Sequence, residues 1–468
     1  MIFGIRKAPA IGAAGADAAP PKAPAAAWWM LFILLAFYVM SMVDRFIIAM
    51  LVDPIKAELG LGDFQMSLIL GPAFALFYSI AGFPFGWAAD RFPRRTVIFV
   101  GSVFWSIATL TCGFAGSFLV LFAARALVGA GEASLTPSAY SMITDKFPRE
   151  RLTTALSFYA MGPKLGEAIA FSAGAVLIEA LTRGQASGAL NIGMLAETTP
   201  WRIVFLTLGA FGILASFMVF AFKEPQRKGR VAASQAGGHA ESVTLISFLK
   251  RYPRLITYMV IAFGMLGIAT GALMMWTPSH MTRAFGWTPV QYGPILALVS
   301  ACGAASVIVK GVIIDWLYRR GVRDAHMRFY TWLLIGFMPV IAATFLVSNA
   351  WLFLVLYGIT QVLVLPFMLY VSATVQMISP NEIRGRLSAF FLFLVAVVSM
   401  GVGPTLIGAM TDYVFRDPQK LGLSLACMLI SSVLIATVCL RLVLRELKAP
   451  LDAMQALVDE EAARARAT

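Results

Sequence analysis

The decapeptide GWAADRFPRR, residues 86–95, follows an apolar run and spaces a glycine, an aspartate and an arginine four residues apart. The same spacing returns in GVIIDWLYRR, residues 311–320, in the second half of the chain. Two further pairs of similar segments follow in the same order: FPRERLTTALSF (147–158) with SPNEIRGRLSAF (379–390), and MGPKLG (161–166) with VGPTLIG (402–408). Three matches in one order indicate that the two halves of the chain are copies of each other.

The composition is typical of a membrane protein. Of 468 residues, 59% are hydrophobic and only 13% are charged, which is more apolar surface than a soluble fold of this size covers. Continuous apolar runs of ~20 residues are common, whereas the alternating ~10-residue segments of a β-barrel are missing. The net charge of +13 does not indicate nucleic-acid binding, because the basic residues lie in short clusters between the apolar runs. We therefore predict an all-α membrane protein.

The apolar runs form two sets of six. We expect twelve transmembrane helices in two pseudo-symmetric six-helix halves, with the substrate path between the halves. The predicted helices are residues 28–51, 65–89, 96–115, 117–142, 152–181, 201–222, 255–282, 289–316, 327–347, 351–378, 384–413 and 421–445. The predicted domains are a disordered tail (1–27), the N-terminal half (28–222), a flexible linker (223–254), the C-terminal half (255–445) and a second tail (446–468). The second tail is open to two interpretations, a short amphipathic helix or a frayed end.

The loops between the predicted helices alternate in charge. One set is basic and includes Arg91, Arg94 and Arg95 after the second helix and Arg319 after the eighth. The other set is short and acidic or neutral, such as residues 53–63. Basic loops stay on the cytoplasmic side of a membrane, so we predict that both termini are cytoplasmic.

The repeated glycine–aspartate–arginine motif has a mechanical interpretation. Gly86 would let two helices approach closely, and Asp90 lies at a helix end, where it can meet a helix N-terminus or a basic partner. The alternative is that its arginines only set topology. The residues assigned to this gate motif are Gly86, Asp90, Arg91, Arg94, Arg95, Gly311, Asp315 and Arg319.

Residues 86–95, together with their repeat, resemble the signature loop of the major facilitator superfamily. Four further segments resemble its spinster-like branch: RALVGAGEAS (125–134), VDRF (43–46), WRIVFL (201–206) and KEPQR (223–227). The anion–cation symporter branch shares an Asp-Arg pair in the first helix and a similar fourth-helix motif. The resemblance implies a carrier whose gate motif closes the cytoplasmic side of one state, and for bacterial spinster-like proteins a proton-coupled carrier of amphiphiles.

Two charged residues lie inside the first predicted helix and two inside the fourth, where insertion of each costs ~2.5–3.5 kcal/mol. Arg125 and Glu132 are two turns apart and share one face of the fourth helix. Asp44 and Arg125 both lie ~10 Å from the outer ends of their helices, which makes them candidate partners. We expect Asp44 and Glu132 to carry protons and Arg125 to bias them. Arg45 is assigned to the same proton-coupling set, and the alternative for Arg45 is that it only packs or pairs locally. For all four residues the alternative is a permanently paired network with a structural role.

Substrate contacts are predicted less directly. Lys164 and Glu167 are one turn apart and could neutralise each other, or Lys164 could bind an anionic headgroup. Aromatic and methionine side chains suit a lipid tail, although they are commonest as packing groups. The candidate substrate residues are Lys164, Glu167, Tyr159, Met274, Trp276, Phe367, Tyr370 and Phe391. Lys310 is expected to extend toward the cytoplasmic interface.

The leading hypothesis is a proton-coupled secondary transporter of a lipid-like or amphipathic substrate of the lysolipid or sphingoid class. Uptake of small organic anions and multidrug export are alternatives, and a non-transporting receptor is a third class. An enzyme is not expected, since the chain lacks the Gly-x-x-x-x-Gly-Lys-Ser/Thr loop of ATP-driven proteins and any His- or Cys-rich cluster. No metal or cofactor is therefore predicted. The expected partners are the substrate, protons and membrane lipid, with a monomer as the functional unit.

Overall fold

A computed structural model of the chain describes residues 24–189, 198–227, 245–364 and 366–467. These described residues are almost entirely helical and contain no β-strand. Eleven of their helices are long and apolar enough to cross a bilayer. A twelfth helix begins with Ala325 and includes His326 and Arg328, whose polarity lowers its apolar character. The all-α, twelve-helix prediction is confirmed.

The six long helices of the N-terminal half run antiparallel to their neighbours along the chain. They are α1 (Ala25–Met50), α2 (Asp63–Arg91), α3 (Arg94–Gly113), α4 (Phe118–Lys146), α5 (Arg151–Ala186) and α6 (Pro200–Ala221). A short helix, Val52–Leu59, connects α1 to α2. The C-terminal half contains α7 (Pro253–Phe285), α8 (Pro289–Arg319), α9 (Ala325–Ala343), α10 (Ala350–Ile378), α11 (Ile383–Phe415) and α12 (Leu421–Glu446).

The antiparallel order defines two faces of the bundle. At one face, which we call the terminal face, the odd-numbered helices begin and the even-numbered helices end. The α2–α3 turn and the start of the linker after α6 lie at this face. The α1–α2 connection and residues 416–420 lie at the opposite face. The basic clusters 91–95 and 319–323 therefore lie at the terminal face, and the acidic segment 53–63 lies at the opposite face.

Proline interrupts several of the long helices. Gly71 and Pro72 interrupt α2, and π-helical segments precede the prolines of α10 and α11. A proline has no backbone N–H, so it leaves the carbonyl four residues earlier without its helical donor. Pro366 thereby frees the carbonyl of Val362, and Pro404 frees the carbonyl of Met400.

The two halves pack together toward the opposite face. A Cβ atom at Gly71 of α2 would lie 2.5 Å from the Met400 carbonyl oxygen of α11, so only glycine allows this approach. Gly293 of α8 packs equally closely on Phe171 and Ala175 of α5. Small residues thus allow backbone-to-backbone contact between the halves on both sides of the bundle.

The buried side chains show the same asymmetry. One cluster of buried residues joins the opposite-face part of the N-terminal half, for example Ile47 and Phe171, to the C-terminal half. A second cluster, which includes Met30, Trp105 and Ile143, is confined to the terminal-face part of the N-terminal half. The halves therefore share one core near the opposite face and have no shared core of described residues near the terminal face.

Two predicted domain boundaries differ from the structure. A short helix, Leu245–Arg251, lies in the segment predicted as a flexible linker, because its apolar side chains pack, with Phe248 buried. Helix α1 begins at Ala25, inside the predicted disordered tail. The second tail is helical at Lys448–Ala467. Residues 1–23, the linker centre 228–244 and residues 190–197 of the long loop lie outside the described residues.

Candidate functional site

A buried ion pair joins α1 to α4. The Nη2 atom of Arg45 donates to Oε2 of Glu132 at 2.7 Å, and the two side chains are 11% and 1% exposed. The same guanidinium lies over the rings of Phe74 and Tyr78 on α2, at 4.3 and 5.3 Å from their centroids. Arg45 is thus the direct partner of Glu132, in preference to the local packing that the sequence left open.

Asp44 is buried beside this pair without an ion pair of its own. Its carboxylate accepts one long hydrogen bond, from Oγ1 of Thr109 on α3 at 3.4 Å, and the residue is 3% exposed. Arg125 does reach Asp44, as its depth predicted, but Nη1 donates to the backbone carbonyl at 3.2 Å. The side chains of Asp44 and Arg125 are therefore neighbours that share no direct hydrogen bond.

Several polar atoms of this four-residue network have no hydrogen-bond partner among the described residues. They are Nε of Arg45, Nε and Nη2 of Arg125, and Oε1 of Glu132. Buried polar groups in proteins are nearly always satisfied, because leaving one unpaired costs about 1–3 kcal/mol. The network is therefore a place where a proton, water or a polar substrate group would be bound favourably.

Glycines on α4 bring the network together. A Cβ atom at Gly129 would lie 2.5 Å from the Phe74 carbonyl oxygen of α2, and one at Gly131 would lie 2.8 Å from Cβ of Trp105 on α3. Each glycine therefore admits a different neighbouring helix. The close approach of α2 places Phe74 under the guanidinium of Arg45.

Tyr159 belongs to an aromatic cluster on the terminal-face side of the network. Its ring stacks on Tyr38 of α1 at 4.8 Å and meets Tyr140 of α4 edge-on at 5.3 Å. Tyr159 is fully buried, whereas Tyr140 is 40% exposed. Tyr140 is thus the accessible ring of this cluster.

Lys164 and Glu167 form the predicted local pair at 2.8 Å, with side chains 45% and 4% exposed. Glu167 also accepts a hydrogen bond from Oγ of Ser300 on α8 at 2.7 Å. Glu167 therefore links the two halves, a role that the sequence did not suggest.

The aromatic candidates of the C-terminal half lie in its interior. Trp276 is fully buried and donates to the Pro404 carbonyl at 3.0 Å, while Tyr370 stacks on Tyr330 at 4.2 Å. Phe367 stacks on Phe263, and Phe391 is fully buried. Of this group only Met274 is half-buried. The structure thus places these rings in packing positions within the half, and none of them on an accessible wall.

Lys310 does not extend to the interface, so that prediction is wrong. The residue is 3% exposed, and its Nζ atom donates to the Val362 carbonyl at 2.6 Å. This is the carbonyl that Pro366 leaves without a helical donor. The spacing from Val362 to Pro366 was the available sequence signal, but the partner helix could not be inferred from it.

The arginines of the gate motif join the segment KEPQR (223–227). Arg94 is fully buried and hydrogen-bonds Glu224, Asp145 and the Pro225 carbonyl. Arg227 donates to the carbonyls of Ala89, Asp90 and Phe92 at the end of α2. Arg95 donates to the Phe222 carbonyl, and Arg91 lies over the Trp87 ring. Two segments that resembled family motifs separately are therefore one structural unit.

The gate motif makes no hydrogen bond or ion pair between the halves among the residues described. Asp90 is exposed, and a Cβ atom at Gly86 would meet nothing within 4 Å. In the C-terminal half, Gly311 has equally open surroundings, and Asp315 and Arg319 are exposed. Both copies of the motif are therefore disengaged from each other at the terminal face.

The opposite face is closed by an ion cluster that the sequence analysis missed. Arg283 at the end of α7 donates to Asp63 through both Nη atoms and to Asp53 through Nε, each at 2.8 Å. Lys56 also contacts Asp63, and Asp412 of α11 accepts from the backbone N–H of Phe64 at 2.8 Å. This cluster joins α1–α2 of one half to α7 and α11 of the other.

The fold is similar to that of a solved bacterial homologue of the human lysosomal transporter Spinster, crystallised in an inward-facing and unoccupied conformation. The TM-score is 0.73 at 23% sequence identity, over 92% of this chain and 98% of that chain. This similarity shows the fold of the chain.

Three curated relatives have different described activities. An MFS-type efflux pump of Mycolicibacterium smegmatis is 24% identical over 90% of this chain and 94% of its own length. A hexuronate transporter of Bacillus subtilis is 24% identical over 82% of this chain and 87% of its own length. Spinster homolog 3 of Danio rerio is 28% identical over 58% of this chain and 53% of its own length.

The family model of the Major Facilitator Superfamily matches residues 34–404, which include the charge network, both copies of the gate motif and eleven of the twelve helices in full or in large part. Together with the twelve-helix fold, this match shows that the chain is a multi-pass membrane transporter and not an enzyme. The chain belongs to the Major Facilitator Superfamily.

Proposed function

We propose that this transporter is a proton-coupled carrier of a lipid-like or amphipathic molecule of the lysolipid or sphingoid class, working by alternating access as a monomer. The basic terminal face is taken as cytoplasmic, which places both termini inside the cell and the transporter in the inner membrane. In this orientation the structure corresponds to a state closed outward and disengaged inward.

The observation that carries the proton-coupling proposal is the buried carboxyl group of Asp44. Within the described residues it has no ion pair, and the one donor to its buried carboxylate is a neutral hydroxyl at 3.4 Å. An ionised carboxylate is strongly disfavoured in such surroundings, so we assign Asp44 the protonated form in this state. Glu132, paired with Arg45, is assigned the ionised form.

Alternating access would change the surroundings of this charge network. Arg45 also contacts the other half, with Nη1 lying 3.9 Å from the sulfur of Met400 on α11. A movement of α11 against α2 would change the surroundings of Arg45 and hence of Glu132. Proton binding at Asp44 and Glu132 would then be linked to the position of the two halves.

Transport by reconstituted protein tests the coupling. In proteoliposomes with an imposed pH gradient, the native chain should concentrate its substrate, and the Asp44→Asn variant should equilibrate it without concentrating it. Asp452→Asn, a change at an exposed acid on the terminal helix, serves as the matched control and should keep full coupling. Undiminished pH-driven accumulation by Asp44→Asn would contradict the assignment.

An amphipathic substrate is supported by the mixture of surfaces near the network. The charged pair Arg45–Glu132 lies beside an aromatic cluster whose Tyr140 is 40% exposed, and Lys164 is similarly accessible. Such a site can bind a polar headgroup at one end and a chain at the other.

Uptake of a small organic anion is a second candidate. Two arginines of the network and a buried lysine on α8 offer cations to a carboxylate, and the hexuronate transporter is among the relatives. A thermal-stability screen of the purified protein separates the two. Stabilisation by lysolipids or sphingoid bases supports the amphiphile, whereas stabilisation by sugar acids alone overturns it.

A further inference from the structure

Lys310 occupies an unusual place in α8. It lies nine residues before the end of the helix at Arg319, about 13 Å from that end at the helical rise of ~1.5 Å per residue. Its Nζ atom donates to the Val362 carbonyl of α10 at 2.6 Å, and Oγ of Ser306 donates to the same oxygen at 2.7 Å. One freed carbonyl therefore has two donors from the neighbouring helix, one charged and one neutral.

A single neutral donor suffices to satisfy that carbonyl, so the charge of Lys310 needs another explanation. Three other buried cations of the described chain have a carboxylate partner: Arg45 with Glu132, Arg94 with Asp145, and Arg283 with Asp63. Arg125 has no ion pair among the described residues either, but it belongs to the charge network beside Asp44 and Glu132. Lys310 has no ion pair within the described residues. A buried ammonium without a counter-ion is costly, and two of its three N–H groups remain available to an anion.

Further polar side chains lie on α8 and α10 near Lys310, and we call these groups the polar strip. Toward the opposite face on the same helix, Ser300 binds Glu167 of α5 at 2.7 Å. On α10, Gln361 donates to the hydroxyl of Tyr357 at 2.5 Å, and Gln361 and Val362 are only half-buried. Helix α8 packs on both α5 and α10, and the Ser300–Glu167 hydrogen bond joins this helix to the other half.

The carbonyl that Lys310 binds belongs to the π-helical segment Thr360–Val364. Such segments commonly occur at functional sites, and Pro366 keeps this one from returning to a regular helix. Lys310 holds the segment through a single carbonyl. Release of that carbonyl would leave Ser306 as its donor, so the exchange does not leave a buried acceptor unsatisfied.

We propose that Lys310 is the anion-binding group of the C-terminal half: it holds the Val362 carbonyl while the carrier is empty and exchanges it for the phosphate or carboxylate of the substrate. The inference rests on the proposed carrier function and specifies its substrate as an amphiphile with an anionic headgroup.

Binding to protein in phosphatidylcholine nanodiscs tests this assignment. The probes are dodecyl phosphate, dodecyltrimethylammonium and glucuronate, and the readout is the melting temperature as a function of probe concentration. Dodecyl phosphate should stabilise the native chain, and Lys310→Met should require at least about tenfold more of it, since a hydrogen bond to a charged group contributes roughly that factor. Lys310→Arg should retain binding. Ser306→Ala should also weaken the response, because the released Val362 carbonyl then has no donor. Lys448→Met, a change at an exposed lysine on the terminal helix, is the matched control and should leave the response to dodecyl phosphate unchanged.

A role limited to capping the Val362 carbonyl predicts a different pattern. Lys310→Met and Ser306→Ala would then lower the melting temperature without changing the response to either charged amphiphile, and this result would overturn the proposal. Failure of dodecyl phosphate to stabilise the native chain would also overturn it. Stabilisation by glucuronate with the same dependence on Lys310 would retain the anion-binding role and overturn the lipid-like substrate. Proton coupling is judged separately, through Asp44→Asn.

Discussion

At the scale of single residues, the charge network gives its two buried carboxylates, Asp44 and Glu132, different surroundings. Asp44 and Arg45 are adjacent, so a helix turns their side chains about 100° apart. Arg45 reaches across to Glu132 and rests on Phe74, whereas Asp44 faces α3 and meets only Thr109. One carboxylate therefore has a cation and the other does not, which is the basis for assigning them different protonation states.

Breaking the Arg45–Glu132 pair from one side should be more costly than removing both charges. Arg45→Met leaves the carboxylate of Glu132 buried without a cation, and we expect a loss of about 3 kcal/mol in stability. Adding Glu132→Gln to that variant should recover most of the loss. Thermal unfolding in detergent compares the native chain, the single variant and the double variant. A double variant no more stable than Arg45→Met alone would contradict the direct pairing.

Glu58 offers a test through pH outside the membrane-spanning helices. Its partial burial raises the pKa of the carboxyl group, but hydrogen bonds from Thr199, Arg202 and Trp201 outweigh burial and lower the pKa below the ordinary value. A carboxyl group with a lowered folded pKa stabilises the fold above its unfolded pKa, and this contribution is lost as pH falls through the folded value.

The native chain should therefore be more stable than Glu58→Gln at pH 7, and the difference should shrink as pH falls below about 4. Denaturant unfolding at a series of pH values measures it. The side chain is 30% exposed, so the difference should be modest. A difference that stays constant down to the lowest pH would show that the charge of Glu58 is not involved.

At the scale of helices, much of the fold could be predicted from the sequence. Continuous apolar runs located the long helices to within a few residues, and the repeated motifs located the division between the halves. The partners of buried side chains could not be predicted in the same way. Helical periodicity relates residues on one helix, but it does not give the rotation of a neighbouring helix. Hence Arg125 was correctly placed near Asp44, while its contact with the backbone carbonyl was not foreseen.

Two other findings depend on contacts between distant segments. The ion cluster of Arg283 joins residues more than two hundred positions apart. Glu224 of the linker segment binds Arg94, which lies 130 positions earlier in the sequence. Lys310 was mistaken for an interfacial side chain because a proline on another helix determines its partner. The sequence records the residue types, and the packing of helices decides which of them meet.

The contact between α2 and α4 depends on the absence of a side chain at Gly129. A Cβ atom there would lie 2.5 Å from the Phe74 carbonyl oxygen, so Gly129→Ala should separate the helices and destabilise the fold by about 1–3 kcal/mol. Gly82→Ala on α2 is the matched control, since its Cβ atom would meet nothing within 4 Å. Equal melting temperatures for the two variants would contradict the close packing around the network.

At the scale of the whole molecule, the two halves are joined at one face and disengaged at the other. Arg283 is the centre of the joined face, with its side chain 8% exposed and three hydrogen bonds to carboxylates of the other half. The gate motif at the terminal face makes its contacts within its own half. A carrier of this kind can be closed at either face by contacts between its halves, and in this structure it is closed at the opposite face.

Arg283→Gln should open the opposite face, because Asp63 then loses its bidentate partner. Spin labels at Ala57 and Gln419, both on that face, report the distance between the halves. We expect longer distances in Arg283→Gln than in the native background. Arg202→Gln removes an ion pair contained in the N-terminal half and should leave the distances unchanged. A distance distribution unaffected by Arg283→Gln would show that the small-residue packing alone holds this face closed.

The central claim, that protonation of Asp44 controls the position of the halves, is tested most directly at the terminal face. Spin labels at Gly86 and Gly311, whose surroundings are open, report its opening after the exposed Cys302 and Cys427 are replaced by alanine. Because the disengaged state buries Asp44 without a cation, acidic pH should lengthen the distance between the labels, and Asp44→Asn should show the long distance at every pH. A native distance that does not change with pH, or an Asp44→Asn variant that keeps the native pH response, would contradict the account.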